Sequence, residues 1–329
     1  GTGYDGDALD ELLNDLGRMD GEPVEDPGAD TDRAAELKDQ WGTERGQLWQ
    51  VGRHRLMCGD ARNAEDVDRL LGSGFVQVAV TSPPYAQQRE YDEESEFEPI
   101  APEKYVRWFS AISKNVQRRL DEGGSWFVNI KPAAVGLDRS LYVFDLVVSH
   151  VREWGWHFSE EYCWERVGIP QEVSTRFKNQ FEPVYHFTLG EWDFYPERMM
   201  HDSENVPIPH GEGAGDTNAA RRQGKISAVY DNDVAPGKAY PGNRLPTFTG
   251  SHDAVGHPAA FPVGLAQWFI RAFSREGELV YDPFLGSGST VLAAENTGRI
   301  GYGMEISPKY CAVILERCTG AGMDCSLIE

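Results

Sequence analysis

The sequence predicts an α/β fold with a doubly wound, mostly parallel sheet. From Leu48 onward, apolar strand-like runs alternate with amphipathic helix-like segments, which is the pattern of parallel strands joined by crossover helices. Three distinctive loops, Gly59-Asp60 and residues 81–85 and 282–290, each follow a strand. Ligands of such sheets bind at the carboxyl ends of the strands, so we expect the three loops to form one site.

The alternation resolves into seven strands and six helices. The predicted strands span residues 54–58, 76–80, 125–130, 160–167, 183–189, 278–282 and 300–305. The predicted helices span residues 64–71, 102–120, 142–153, 262–273 and 289–297, and a last one begins at 307. Pro102 suits the first turn of its helix, where its missing N–H is not needed.

Two regions depart from this alternation. Residues 1–46 combine a short helix-like piece at 8–16 with an acidic Gly/Pro/Asp stretch, and they predict a leader or linker, as in a fragment of a longer protein. Residues 190–256 are rich in Gly, Pro, Asn, Asp and His and show little periodicity. A stretch of that length predicts an insertion with a function or a disordered lid.

The charge of the chain restricts its partners. The net charge is −22, and residues 1–44 hold fourteen of the acidic residues against three basic ones. Contacts with nucleic-acid phosphates need Lys and Arg, so this acidity argues against a nucleic-acid partner unless the basic surface is local.

Composition also restricts location and metal binding. The chain lacks an apolar run of about 18 residues and a signal-peptide pattern, which predicts a cytoplasmic protein with no membrane partner. Its five cysteines include no Cys-x-x-Cys pair and its histidines are scattered. We therefore expect reduced thiols and no metal site.

The Gly-rich turn at residues 282–290 predicts a binding site for a small zwitterionic ligand. Gly286 and Gly288 let backbone N–H groups approach a ligand, and the helix that follows favours a negative group at its N-terminus. Asp282 could hold an ammonium group and Glu305, about twenty residues on, could accept hydrogen bonds from ribose hydroxyls. The position of a third dinucleotide-type glycine is Val291, which disfavours a nicotinamide site; a plain turn is the alternative.

The loop Thr81-Ser82-Pro83-Pro84-Tyr85 predicts chemistry on an amino group. Its two prolines leave carbonyl oxygens free to accept hydrogen bonds. An amino group on a base is a poor nucleophile, and a site that accepts hydrogen bonds from both of its N–H groups frees the nitrogen lone pair for attack. Ser82 and a proline carbonyl could do this while Tyr85 stacks on an extruded base. A rigid turn with Tyr85 in the core is the alternative.

These residues resemble the amino-methyltransferases of DNA in their circularly permuted beta class, in which the catalytic motif precedes the cofactor motif. The resemblance covers about residues 48–318, apart from the insertion. It implies a seven-stranded sheet of the class I methyltransferase, Rossmann-like type, S-adenosylmethionine as cofactor, double-stranded DNA as partner and base flipping, with a role in a restriction-modification system. It makes a homodimer plausible. The leader resembles a fusion found in phage or prophage partition-protein-like chains.

The resemblance assigns regions and roles. Residues 47–189 become the catalytic half, 190–256 the target-recognition insertion and 257–329 the cofactor-binding half. Catalysis falls to Ser82, Pro83, Pro84 and Tyr85. Cofactor binding falls to Asp60, Thr81, His257, Pro258, Asp282, Phe284, Gly286, Gly288, Ser289, Thr290 and Glu305. Residues 179–182 resemble a motif near the target base.

The sequence favours cytosine N4 as the methylated atom. The chain has no Pro-Cys dipeptide, which disfavours methylation at cytosine C5. Ser82 resembles N4-cytosine enzymes, whereas N6-adenine enzymes usually carry Asp or Asn there; adenine N6 is the alternative. A protein glutamine methyltransferase, or a DNA-binding module that has lost catalysis, is less favoured.

The insertion is the predicted surface for DNA. Its basic residues could contact phosphates and bases, with tyrosines interleaved among them. The predicted DNA-binding residues are Arg198, Arg221, Arg222, Lys225 and Arg244. A solvated polar lid is the alternative for this segment.

Overall fold

The protein is built around one ten-stranded mixed sheet. The computed structural model describes residues 24–86, 99–132, 134–135, 138–166, 177, 179–202, 238–245, 248 and 262–329. The strands of the sheet are β1 (Leu48–Val51), β2 (His54–Cys58), β3 (Val76–Thr81), β4 (Leu120–Asn129), β5 (His157–Glu165), β6 (Phe181–Thr188), β7 (Arg244–Leu245), β8 (Leu279–Asp282), β9 (Ile300–Glu305) and β10 (Cys325–Leu327).

Seven α-helices accompany the sheet in the described part of the chain. They are α1 (Ala34–Trp41), α2 (Ala64–Leu71), α3 (Pro102–Gln117), α4 (Tyr142–Arg152), α5 (Val263–Phe273), α6 (Ser289–Asn296) and α7 (Pro308–Gly320). Capping residues in the local sequence determine where several of these helices begin. Asn63 caps α2 by accepting a hydrogen bond from Glu65 N, and Ser307 caps α7 with Pro308 directly after it.

Five parallel strands form the centre of the sheet. The order is β7-β5-β6-β4-β3-β8-β9-β2-β1-β10, and the strands from β4 to β2 run parallel to one another. Antiparallel pairs extend the sheet on both sides, through β6 and β5 at one side and β1 and β10 at the other. Every residue of β3 is buried, as expected of a central parallel strand.

The sheet corrects the predicted number of strands from seven to ten. All seven predicted strands are present, although several of their ends differ by a few residues. The three additional strands, β1, β7 and β10, have two to four residues each and lie at or next to the edges of the sheet. Such short segments form strands because a neighbour offers hydrogen bonds, and their own sequences carry no alternating pattern.

The sheet separates two hydrophobic layers, and successive side chains of its central strands point into one layer or the other. On β2, Met57 points into the layer formed with α2, α3 and α4, while Leu56 and Cys58 point into the layer formed with α6 and α7. On β4, Trp126 packs against Phe109 of α3 with ring centroids 5.6 Å apart. All five cysteines are free.

The segment from residue 24 to 46 differs from the predicted linker because it packs onto the domain. Leu37 of α1 is fully buried against Ala312 and Val313 of α7. The Trp41 indole donates to Glu316 at 3.0 Å, and the Thr43 hydroxyl donates to the Pro308 carbonyl at 2.7 Å. Residues 1–23 lie outside the described residues.

The chain separates into two compact units, with residues 196–242 as the second. The described part of this second unit consists of a 3₁₀ turn, Pro196–Met199, and a two-stranded ladder of His201–Asp202 with Lys238–Ala239. The predicted insertion began earlier and ended later, at 190 and 256. Its recognition role stays a prediction. In the described residues, no helix has the length and apolar character that crossing a membrane requires.

We expect Leu37→Ala to lower the free energy of unfolding by about 2–5 kcal/mol, because it leaves a cavity between α1 and α7. Urea denaturation followed by circular dichroism measures the change. Asp39→Ala alters an exposed side chain of the same helix, and it should change stability by less than about 0.5 kcal/mol. Equal stability of the two variants would contradict the docking of this segment.

Candidate active site

The loops that the sequence singled out meet at the carboxyl edge of the central strands. Adjacent parallel strands bring Glu305 of β9 opposite Cys58 of β2, and Asp282 of β8 opposite Gly303 of β9. Gly59 N donates to the Glu305 carbonyl at 3.0 Å. The buried Thr81 side chain, at the end of β3, lies beside the Asp282 carboxyl group because β3 and β8 pair in parallel, and its hydroxyl has no hydrogen-bond partner among the described residues. The start of the proline loop therefore touches the start of the Gly-rich turn.

Asp282 holds this junction together. Its carboxyl group is fully buried and accepts hydrogen bonds from Phe284 N at 2.9 Å and from the Thr290 hydroxyl at 2.6 Å. Burial raises its pKa to about 6, and these hydrogen bonds oppose that rise. The carboxyl group thus links the end of β8, the turn and the first helical turn of α6. Contact of Asp282 with a ligand ammonium stays a prediction.

The glycines of the turn have conformations that other residues avoid. Gly286 has φ +57° and Gly288 has φ +93°, both in the left-handed region. Gly288 N donates to the Leu285 carbonyl at 2.9 Å, which closes the turn directly before α6 begins. A Cβ at Gly288 would lie 3.3 Å from the Ile314 side chain, so α7 leaves little room for one.

Glu305 faces the same turn from the neighbouring strand. Its two carboxyl oxygens accept hydrogen bonds from Gly286 N at 3.0 Å and from Ser307 N at 2.9 Å. Burial raises its pKa to about 7. The residue remains partly exposed, and each oxygen keeps a lone pair for a further donor. It can therefore accept hydrogen bonds from ligand hydroxyls.

The N-terminus of α6 is suited to a ligand carboxylate. The first N–H groups of a helix have no partner within the helix, and the Ser289 hydroxyl is buried without a hydrogen-bond partner. An anion placed there would satisfy these donors. Together with Glu305, the turn fits a ligand that carries both a carboxylate and a hydroxylated ring.

The Ser-Pro-Pro-Tyr loop continues from β3 at the same edge. The Tyr105 hydroxyl donates to the Pro84 carbonyl at 2.8 Å, so this carbonyl already has a donor. The half-buried Tyr85 donates its hydroxyl to Glu182 at 3.0 Å. Burial and the Glu182 charge raise the pKa of Tyr85 well above its ordinary value.

Glu182 is the centre of a charged cluster beside this loop. The residue is only 4 % exposed and accepts hydrogen bonds from Lys131 at 2.5 Å and Arg166 at 3.2 Å. Lys131 also lies 5.7 Å from the centroid of the Tyr85 ring. Lys131 and Arg166 therefore share one carboxylate beside the tyrosine ring.

Sequence analysis missed several residues of this cluster. Lys131, Arg166 and Tyr105 were not singled out, and Glu182 was noted only as part of a motif. A signal existed for Lys131, because it comes directly after β4, the parallel neighbour of β3. Arg166 reaches Glu182 only through the antiparallel pairing of β5 with β6, which local sequence does not reveal.

The remaining predicted cofactor residues occupy different surroundings. Phe284 packs beside the rings of Trp108 and Phe109, at centroid distances of 5.7 Å and 6.5 Å. Asp60 lies beyond β2 and forms an ion pair with Arg62 at 2.6 Å. Its contact with a ligand stays a prediction. His257 and Pro258 lie outside the described residues.

Two of the predicted DNA-binding residues, Arg244 and Arg198, are among the described residues. Arg244, 61 % exposed, lies on the edge strand β7 and pairs with Glu165 at 2.8 Å. Arg198 lies in the second unit, 4.0 Å from Glu197. Arg221, Arg222 and Lys225 lie outside the described residues. No cluster of potential metal ligands occurs among the residues that the structure describes.

Comparisons with known proteins find a matching family and several similar relatives. The model of the N6_N4_Mtase family, described as DNA methylase, matches residues 76–316. The Type II methyltransferase M.PvuII of Proteus hauseri is 26% identical over 259 residues, covering 72% of this chain and 76% of the relative. The orphan methyltransferase M.BamHII of Bacillus amyloliquefaciens is 28% identical, covering 75% of this chain and 90% of the relative.

Solved structures show the same fold. PvuII DNA methyltransferase (cytosine-N4-specific) aligns with a TM-score of 0.58 at 21% identity, covering 84% of this chain and 90% of that one. TTHA0409 of Thermus thermophilus, complexed with S-adenosyl-L-methionine, aligns with a TM-score of 0.51 at 22% identity, covering 82% of this chain and 94% of that one. The sheet is therefore that of the class I methyltransferases.

Glu305 should make stability depend on pH. Its pKa rises from 4.5 to about 7 on folding, so the folded protein binds this proton more tightly than the unfolded chain. The resulting stability is present below about pH 4.5 and is lost as the pH rises through about 7. Glu305→Gln removes the ionisable group and therefore this loss of stability. The free energy of unfolding of the variant minus that of wild type should increase between about pH 4.5 and 7. Urea titrations at several pH values measure it.

The exposed Glu276→Gln controls for the loss of an acidic charge. A difference between Glu305→Gln and wild type that stays constant from about pH 4.5 to 7 would contradict the buried state of this carboxyl group.

Proposed function

This chain belongs to the N6_N4_Mtase family of DNA methylases, and we propose that it methylates the exocyclic N4 amino group of cytosine in double-stranded DNA. The cofactor is S-adenosylmethionine, with which the similarly folded TTHA0409 was solved. The observation that carries the proposal is the parallel pairing of β3 with β8, which brings Thr81 beside Asp282. It joins a loop suited to an amino group to a turn suited to the cofactor.

The Gly-rich turn and its neighbours would hold the cofactor. The N-terminus of α6 and the unpartnered Ser289 hydroxyl suit the carboxylate of its methionine part. Glu305 suits the ribose hydroxyls, and Asp282 keeps the turn in shape between them. Asp60, Phe284, His257 and Pro258 are proposed to complete the pocket. When bound, the cofactor would supply a methyl group to the base nitrogen; its sulfonium sulfur would become a neutral thioether, and the proton displaced from the nitrogen would pass to water.

Ser82 and Pro83 would accept hydrogen bonds from the target amino group. The Pro84 carbonyl already accepts from Tyr105, so the Pro83 carbonyl is the better candidate of the two prolines. A Ser82 hydroxyl that turns its proton towards the nearby Tyr85 oxygen would keep its own lone pairs for an N–H of the base. Two acceptors in fixed positions would orient the nitrogen lone pair towards the methyl group.

Hydrogen bonds from Ser82 through Tyr85 to Glu182 would strengthen Ser82 as an acceptor. In this proposal each hydroxyl donates towards the buried carboxylate, and the structure contains the hydrogen bond from Tyr85 to Glu182 at 3.0 Å. Hydrogen bonds in series polarise one another, so the negative charge of Glu182 increases electron density on the Ser82 oxygen. Lys131 and Arg166 keep Glu182 in position. Glu182 is thus a positioning residue, whereas Ser82 and Tyr85 would touch the base.

Cytosine is preferred over adenine on two grounds. Ser82 occupies the position where adenine enzymes usually carry Asp or Asn. In addition, M.PvuII is similar to this chain over most of its length, and the PvuII methyltransferase of the same fold is cytosine-N4-specific. DNA would be bound by Arg198, Arg221, Arg222, Lys225 and Arg244. The proposal also includes the beta-class order of motifs and assembly as a homodimer. It further includes a cytoplasmic location and a role in a restriction-modification system.

Nucleoside mass spectrometry tests the reaction directly. DNA from cells expressing the wild type should contain N4-methylcytosine, and Ser82→Ala should reduce it at least about a hundredfold because a transition-state hydrogen bond is lost. Ser326→Ala, an exposed serine on the edge strand β10, should leave the modification intact. Accumulation of N6-methyladenine would instead identify adenine as the target. Absence of any modified base would contradict DNA methylation.

Tyr85→Phe and Glu182→Gln test the series of hydrogen bonds. Tyr85→Phe keeps the stacking ring and removes the hydroxyl, and Glu182→Gln removes the charge. Both should lower kcat about tenfold and leave the KM for DNA nearly unchanged. Glu161→Gln, an exposed glutamate of β5, is the matched control. A Tyr85→Phe enzyme with the kcat of the wild type would disprove the role of the hydroxyl.

A further inference from the structure

A buried arginine of α7 connects the N-terminal segment to the Gly-rich turn. Arg317 has no exposed side-chain surface. Its Nε and Nη2 atoms donate to the two carboxyl oxygens of Asp26 at 2.9 Å and 2.7 Å. Its Nη1 atom donates to the Ser287 carbonyl at 3.0 Å and lies 3.3 Å from the Ser287 hydroxyl. One guanidinium group therefore joins two segments about 260 residues apart in sequence.

The contact with Ser287 restrains the most flexible part of the turn. Ser287 lies between Gly286 and Gly288, both of which have positive φ values. Peptide groups next to glycine rotate easily because no Cβ restricts them. Arg317 holds the Ser287 carbonyl towards α7, and the Gly288 N–H of the same peptide group donates to Leu285. Both ends of this peptide group are thereby fixed directly before α6.

Asp26 belongs to a segment that is firmly attached. Val24 N donates to Asn296 at the end of α6 at 2.9 Å. Pro27 packs so closely on Gly320 that a Cβ there would lie 2.9 Å from the proline ring. Gly28 N donates to a carboxyl oxygen of Asp26 at 2.9 Å. These contacts hold the Asp26 carboxylate against Arg317 at the side of the turn where α7 packs.

We propose that Asp26 is a positioning residue for the cofactor and acts through Arg317 and Ser287. A buried guanidinium group needs a fixed counter-charge, and without it the side chain turns towards water or takes another partner. Asp26 supplies this charge in a bidentate pair, which orients the remaining Nη1 atom towards the turn. The acidic N-terminal segment is therefore part of the cofactor-binding apparatus of the domain.

Calorimetric titration of S-adenosylmethionine into Asp26→Asn, in the full chain and without DNA, tests this role. The amide keeps the size of the side chain and removes its charge. The Kd for the cofactor should rise about tenfold. In turnover assays the KM for the cofactor should rise likewise, with kcat and the KM for DNA unchanged. The binding result does not depend on which base is methylated, so it can fail separately from the proposed reaction.

Glu316→Gln is the matched control. Glu316 precedes Arg317 in α7 and accepts from Trp41 of α1 at 3.0 Å, which attaches the same N-terminal segment away from the turn. Its substitution should change the Kd by less than about twofold. Equal weakening by both variants, or a lower Tm of Asp26→Asn with an unchanged Kd, would show that Asp26 only supports the fold.

Arg317→Lys provides the second variant should Asp26→Asn fail to fold. Lysine keeps a positive charge beside Asp26 but lacks the planar fork that reaches Asp26 and Ser287 together. The Kd for S-adenosylmethionine should again rise about tenfold. Wild-type affinity in a folded Arg317→Lys protein would overturn the proposal.

Discussion

The site depends on the buried carboxyl group of Asp282. The Thr290 hydroxyl and the backbone N–H of Phe284 donate to it, and the Thr81 side chain lies beside it because β3 pairs with β8 in parallel. An unpaired buried carboxylate would be costly, so these two donors must stay in place wherever the charge is present. The strand pairing and this carboxyl group together keep the proline loop next to the Gly-rich turn, although about two hundred residues separate them in sequence.

Three carboxyl groups have different roles at this edge of the sheet. Asp282 is enclosed and stabilises the shape of the turn, whereas Glu305 is partly exposed and keeps acceptor capacity for a ligand. Glu182 lies at the other end of the site, between two cations and the Tyr85 hydroxyl. All three residues carry the same chemical group. Their different roles therefore follow from how exposed each carboxyl group is and from how many hydrogen-bond donors surround it.

Periodicity predicted the seven strands and the meeting of the three loops, because parallel strands place their carboxyl ends along one edge. It missed β1, β7 and β10, whose pairing depends on neighbours far away in sequence. Lys131 had a sequence signal in its place after β4, whereas Arg166 and Tyr105 reach the Ser-Pro-Pro-Tyr loop only through tertiary contacts. The composition of residues 1–46 predicted a leader or linker, yet Leu37 is fully buried. The apolar contacts of α1, the hydrogen bonds of Trp41 and Thr43 and the pair of Asp26 with Arg317 together attach this segment.

The ion pairs of the chain limit the cations that it can offer to DNA. In the described part of the chain, many arginines are paired with carboxylates, among them Arg53, Arg62, Arg69, Arg118, Arg119, Arg244 and Arg317. A cation already paired within the protein gains less from a DNA phosphate, because the existing pair must first be broken, and among the proposed DNA-binding residues this applies to Arg244. A complex with few phosphate contacts would release few counterions, so electrostatic attraction would contribute little to its affinity. Under the proposed function, contacts to the bases would then carry more of the recognition, in agreement with the proposed stacking of an extruded base on Tyr85.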